Sequence, residues 1–146
     1  MSNAASRFAA VYAVLTAAHE VADHWVQVDE DAGHKGDAGP EGVRACVRHV
    51  ATYTATQGAA LWAANRALGL GVKPGRAVAA LAVSAATHYY ADRHGGHWRD
   101  ETPTGLVRAA HHIGKGKWLR RDPNAGYLLD QSWHKGWIAI AAAIAA

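Results

Sequence analysis

The chain has 146 residues, half of them apolar, with 15 basic against 12 acidic side chains and a formal charge of +3. That length and composition fit one folded domain over residues 1–146 and exclude a disordered tail. The small net charge makes no case for nucleic acid by itself, and a lone cysteine, Cys46, excludes an intrachain disulfide.

The lone thiol fits a reducing compartment, and Met1 to Ala10 carries one Arg7 and no long apolar run, so a cytoplasmic protein without a signal peptide is expected. The uncharged stretches Val50–Asn65, Ala77–Ala91 and Gly136–Ala146 fall short of the roughly 18 to 20 apolar residues that span a bilayer. A membrane-spanning segment is therefore not expected, although the apolar C-terminus leaves peripheral attachment open. Charge is unevenly placed. Val28–Gly42 holds Asp29, Glu30, Asp31, Asp37 and Glu41 against one Lys35, whereas Arg93–Gly126 holds seven Lys or Arg against three acids.

In chain order, Ser6–Gln27 has helical apolar spacing with no Gly or Pro, and predicts a helix. Val28–Pro40, with glycines at 33, 36 and 39, predicts a loop. Glu41–Leu68 predicts a second helix, stopped by Gly69–Gly71 and Lys73-Pro74-Gly75. Arg76–Arg93 predicts a third, ended by Gly95-Gly96. His94–Gly126 reads as one long Gly-rich basic loop carrying a short helix over Thr104–Ile113, with Thr104 as its N-cap. A last helix starts near Tyr127. The expected fold is all-α: a compact bundle of about four main helices. With one phenylalanine, its large core side chains must come largely from six tryptophans and five tyrosines.

Three His/Asp pairs stand four residues apart inside these helices: His19 with Asp23, His88 with Asp92, and Asp130 with His134. The spacing puts both members on one helix face, one turn apart. Random placement gives roughly one such pair in a chain of this composition. Ionised Asp is rarely buried alone, and no Lys or Arg stands four residues along these faces, so the faces call for a cation. His49, with Tyr53 one turn on, can join them. The set His19, Asp23, His49, His88, Asp92, Asp130 and His134 mixes N and O donors, which suits zinc first, then manganese or iron, as one or two ions. The competing reading is three local ion pairs without a metal.

The ordered series His19-x3-Asp23-x3-Gln27, His49-x3-Tyr53, His88-x3-Asp92-Arg93 and Leu129-Asp130-Gln131-x2-His134 resembles the domain of unknown function 3307 family, from about residue 15 to the end. That family is often membrane-associated and is similar to metal-dependent hydrolases of the YdjM type, so the resemblance implies a metal and a hydrolase. A more distant likeness is to zinc-dependent phospholipase C and the S1/P1 nucleases, all-helical enzymes that also use His-x3-Asp pairs.

The segment His111–Arg121 is basic and flanked by aromatics. Lys115, Lys117, Arg120 and Arg121 are candidate contacts for an anionic substrate such as a nucleotide, with nucleic acid as a further partner. The bland reading is a solvated loop. Trp25, Trp133 and Trp137, beside the His/Asp faces, are expected in the core. His24, His34, His94 and His97 are expected at the surface, Ser84 is a packing residue, and Cys46 should be buried and inert.

These features predict a metal-dependent hydrolase of a phosphoester, with Asp23 or Asp130 as the catalytic base. The alternative is a non-catalytic, metal-stabilised bundle that binds a nucleotide or a protein. A di-iron or di-manganese carboxylate bundle fits poorly, because those sites use Glu and Glu-x2-His, and only Glu20 lies in a helix interior.

Overall fold

The computed structural model describes residues 3–100 and 102–146; Met1, Ser2 and Glu101 lie outside them. Among the described residues the fold is all-α, with seven α-helices, one π-helical turn and no strand. Four long helices form the expected bundle: α1 (Ala4–Val21), α3 (Pro40–Leu68), α4 (Pro74–His94) and α7 (Ala125–Ala145). Three short ones, α2 (Asp29–His34), α5 (Gly105–His112) and α6 (Gly116–Arg121), lie in the connections.

Local chemistry explains the ends. The Asn3 side chain accepts from the Ser6 N–H at 2.8 Å and caps α1. Pro40 and Pro74 stand at the starts of α3 and α4, where a missing N–H costs nothing. Gly69 ends α3 in the left-handed region at φ 61°, a conformation that a side chain would strain. The Asn65 amide then binds both backbone groups of Val72, at 3.0 and 3.2 Å, and fixes the turn into α4. Thr104 does occupy the N-cap of α5, but its side chain makes no capping bond.

The stretch expected as loop after α1 is partly helical, and the long connection 94–126 carries a second short helix, α6, beside the expected α5. In 28–40 the first turn of α2 holds Asp29, Glu30 and Asp31, where negative charge meets the positive end of the helix dipole. Arg48 on α3 then clamps buried Asp31 through both Nε and a terminal nitrogen. In 94–126, α5 and α6 are too short to stand alone in water and are held by tertiary contact. Val107 and Ala110 of α5 and Leu119 of α6 are buried, the last two beside Ala125, with Trp98 and Trp118 packed over them.

The bundle core is graded along its axis. At one end Val11, Leu15, Leu61, Leu70, Val72, Ala80, Ile138, Ala141, Ala142 and Ala145 form a dry apolar cluster. Small alanines at these positions let α4 and α7 approach closely, and that pair shares the most extensive contact in the fold. One layer further, buried polar groups satisfy each other. Tyr53 Oη meets Ser84 Oγ at 2.7 Å, Ser84 Oγ donates to Gln57 Oε1 at 2.9 Å, and Gln57 Nε2 donates to the Leu15 carbonyl at 3.2 Å. Ser84 is thus a hydrogen-bonded structural residue. Beyond this layer each long helix contributes one buried histidine: His19, His49, His88 and His134. Among the described residues no helix is long and apolar enough to cross a membrane.

Candidate metal centre

The histidine layer follows from helical spacing. On α3, His49, Tyr53, Gln57 and Leu61 recur every fourth residue and are all buried, so one stripe carries the change from ionisable to apolar. On α4 the same stripe reads Ala80, Ser84, His88 and Asp92. Asp23 arrives differently. α1 widens into the π-helical turn Ala22–Val26, closed by the Gln27 N–H bonded to the Ala22 carbonyl at 2.9 Å. Such turns often mark functional sites, and here the turn carries the Asp23 carboxylate towards α3 and α4.

The donors converge closely. His49 Nε2 and His88 Nε2 are 2.9 Å apart. Asp92 Oδ2 is 3.3 Å from each nitrogen, and Asp23 Oδ1 is 3.6 Å from each. On its other side Asp23 Oδ2 lies 3.5 Å from His19 Nδ1. Two groups have donor atoms all within 4.8 Å of one another: His19, Asp23 and His88, and His49, His88 and Asp92. These buried groups are placed to hold a metal ion.

Asp130 and His134 belong to neither group. His134 joins the layer through its ring, 4.2 Å from that of His88 and 5.1 Å from that of His19, while its Nε2 stands 3.4 Å from Asp130 Oδ2. Asp130 is the outermost acid of the set, with a side chain 24% exposed.

Burial dominates the electrostatics. It lowers His19 to about 4, with the charge of His134 adding to the effect, and His88 to about 4. His49 falls to about 3, by burial and then by the Lys35 ammonium. All three rings are therefore neutral at pH 7, with lone pairs to offer. Burial raises Asp23 to about 7, and the nearby Asp92 and Asp130 push in the same direction. Burial would also raise Asp92, but the His88 ring 3.3 Å away and the surrounding positive groups hold it well below the usual range. Because His88 itself is neutral, the Lys35 ammonium, 3.0 Å from Asp92 Oδ1, is the charge that keeps Asp92 ionised. Unpartnered polar atoms crowd the same place: His19 Nδ1, Asp23 Oδ1, His49 Nδ1, His88 Nδ1, Asp92 Oδ2 and His134 Nε2 make no hydrogen bond. Native interiors seldom tolerate so many. A cation among the carboxylates and lone pairs would relieve His19 Nδ1, Asp23 Oδ1 and Asp92 Oδ2 of that set.

Lys35 corrects the expectation that these faces lack a cation, since it arrives from the connection after α2. Arg93 Nη1 donates to the carbonyls of Lys35 and Asp37 at 2.8 and 2.7 Å and fixes that segment. Gly42 lets α3 fit beneath it, because a Cβ there would lie 2.0 Å from the Asp37 carbonyl oxygen. The one sequence signal was that Lys35 is the sole base in an acidic run.

A cavity of about 410 Å³ opens beside the cluster, lined by Lys35, Gly36, Asp92, Trp98, Tyr127 and Asp130 among others. Lys115, Lys117, Arg120 and Arg121 are exposed, on or next to α6, and none of them lines it. Trp25 is 86% exposed, not in the core, because the π-helical turn rotates it outward; Trp133 and Trp137 are half-buried and in ring contact. His24, His34, His94 and His97 are exposed as expected. Cys46 is buried, its thiol pushed up to about 12 by burial, which leaves it inert.

Fold and site together define an all-helical bundle with a buried His/Asp cluster able to hold a metal ion. No family model, curated protein or solved structure matches the chain.

Proposed function

We propose that the chain is a metal-dependent hydrolase of the domain of unknown function 3307 type, with zinc as the favoured ion and a phosphoester as the favoured substrate class. The observation that carries this reading is a donor cluster whose member Asp92, together with the neighbouring Asp130, lines an open cavity of about 410 Å³. A purely structural ion is enclosed by protein ligands, whereas a catalytic ion keeps a position open to substrate. The volume lies within the roughly 300 to 1,000 Å³ usual for small-molecule sites.

His49, His88, Asp92 and Asp23 are the residues that would hold the ion, with a fifth position left for water on the side of the cavity. Donors arranged tetrahedrally about zinc at 2.0 to 2.1 Å lie about 3.3 Å from one another. The separations of 2.9, 3.3 and 3.6 Å bracket that value. Bound there, the ion supplies a Lewis acid that brings the pKa of a coordinated water towards neutrality and polarises a phosphoryl oxygen. Asp130, on the cavity wall, would take the proton from water. Lys35 balances the charge of Asp92 and leaves the cluster able to accept a divalent cation. Lys115, Lys117, Arg120 and Arg121 lie outside the cavity and would serve an extended anion, such as a nucleic acid, better than a small one.

The test is turnover by zinc-loaded protein on phosphomonoesters, phosphodiesters and nucleotides, with Zn²⁺, Mn²⁺ and Mg²⁺ added separately. Hydrolysis that vanishes with chelator and in Asp130→Asn is expected. Folded, metal-loaded protein that binds such compounds and never cleaves them would replace this reading with the non-catalytic binding bundle.

A further inference from the structure

The Asp130–Gln131–His19 chain fixes a proton, and with it the role of His19. Gln131 is buried on α7, and its Nε2 donates to the Asp130 carboxylate at 3.4 Å. The opposite amide orientation would set Oε1 against that carboxylate oxygen, so Oε1 faces the other way and meets His19 Nε2 at 3.1 Å. Oε1 only accepts, so His19 Nε2 carries the hydrogen. His19 Nδ1 is then a bare lone pair.

That lone pair is fully buried, has no hydrogen-bond partner, and faces Asp23 Oδ2 at 3.5 Å. A proton on the carboxylate does not close the gap, because an O–H donor bonds at about 2.5 to 3.0 Å. An ion bonded to both atoms at about 2.0 to 2.1 Å would set them about 3.3 Å apart, close to what is observed. The other oxygen, Asp23 Oδ1, lies 3.6 Å from both His49 Nε2 and His88 Nε2.

We infer that the site takes two divalent cations, bridged by the Asp23 carboxylate, with His19 Nδ1 and Asp23 Oδ2 as protein donors of the second and Gln131 as the positioning residue that presents His19. This rests on the metal-site reading above and deepens it. The second ion has fewer protein donors than the first, so it is the weaker and more exchangeable of the two. Two ions joined by one carboxylate are the arrangement of a two-ion hydrolytic clamp.

The full-length chain, stripped of metal, is titrated with Zn²⁺ by calorimetry, and bound zinc is counted after dialysis. Two ions per chain with unequal affinities are expected. Gln131→Leu should weaken the second by about ten- to a hundredfold and leave the first unchanged, as loss of an orienting partner does at metal sites. Nitrogen-15 NMR of the unmodified, metal-free protein should find His19 protonated on Nε2, a readout independent of whether the variant folds. One zinc per chain, or His19 protonated on Nδ1, overturns the two-ion proposal and leaves the single-ion site standing. No bound zinc overturns both.

Discussion

His49 on α3 and His88 on α4 meet nitrogen to nitrogen, their Nε2 atoms 2.9 Å apart and Asp92 Oδ2 3.3 Å from both. Both rings are neutral at pH 7, so at most one of the two nitrogens needs to carry a hydrogen in that gap. The Tyr53 ring stacks on His88 at 3.9 Å and holds it in register. Helices from distant parts of the chain thus present lone pairs and carboxylate oxygens to one point, and several consequences can be measured.

Zinc should stabilise the fold. A ligand at a hundred times its Kd adds about 2.7 kcal/mol to a site absent from the unfolded chain. For a domain of this size that raises Tm by roughly 5 to 10 °C. The comparison is thermal unfolding of one preparation with zinc and with chelator, and His88→Ala should erase the difference. Equal melting temperatures on protein shown to carry metal would refute the coupling.

Acid should unfold the metal-free protein early. In the folded chain His19, His49 and His88 are lowered to about 4, 3 and 4 from 6.5. Between pH 6.5 and 4 each binds a proton when unfolded and not when folded, so each withdraws about 1.4 kcal/mol of stability per pH unit as pH falls. Asp23 opposes them, because at about 7 it is protonated in the folded chain and not in the unfolded one throughout that window. Three groups against one leave a net loss, and Tm should fall steadily over the window. A flat Tm profile by circular dichroism would contradict the burial of neutral imidazoles.

Lys35→Met should act in opposite directions on stability and on metal affinity. Removing the ammonium leaves the buried Asp92 carboxylate uncompensated, which destabilises the metal-free fold. Lys35 is partly exposed, so the loss should be roughly 1 to 3 kcal/mol, below that of a sealed pair. The same change removes a competing positive charge, so zinc should bind several-fold more tightly. Denaturant melts and calorimetry on the variant read the two effects separately. Loss of both stability and affinity would mean that Lys35 positions Asp92 more than it competes for it.

The basic surface of α6 should matter only for long substrates. Lys115, Lys117, Arg120 and Arg121 lie outside the cavity. Replacing all four by alanine should leave kcat/KM for a small phosphomonoester within about twofold and raise KM for an oligonucleotide, because phosphate contacts add charge complementarity shared by ground and transition states. A large fall in kcat on the small substrate would place these residues in the reacting site.

Most of the helical framework was legible because its signals are local. Glycine and proline mark the ends of α3 and α4 within two residues, and the 3.6-residue period fixes which side chains share a face. The same period placed His19 with Asp23 and His88 with Asp92, and both pairs line the cluster. Trp25 was misplaced by that logic, since the π-helical turn breaks the period there. α2 was hidden by Gly33 and the glycines that follow it, α5 was legible from Thr104 at its start, and α6 owes its order to Trp98 and Trp118 packing against Leu119.

The sequence by itself determined four amphipathic helices, a histidine in the inward stripe of each, and carboxylates one turn from three of them. Only the tertiary structure decided that His49 and His88 touch, that Asp23 faces both His19 and the His49–His88 pair, that Lys35 neutralises Asp92, and that Asp130 turns to the cavity. The reason is geometric. Helical rise and twist fix neighbours within a turn, whereas contacts between residues dozens of positions apart depend on how small alanine faces let the helices close and on where Arg48 and Arg93 tie the connection after α1.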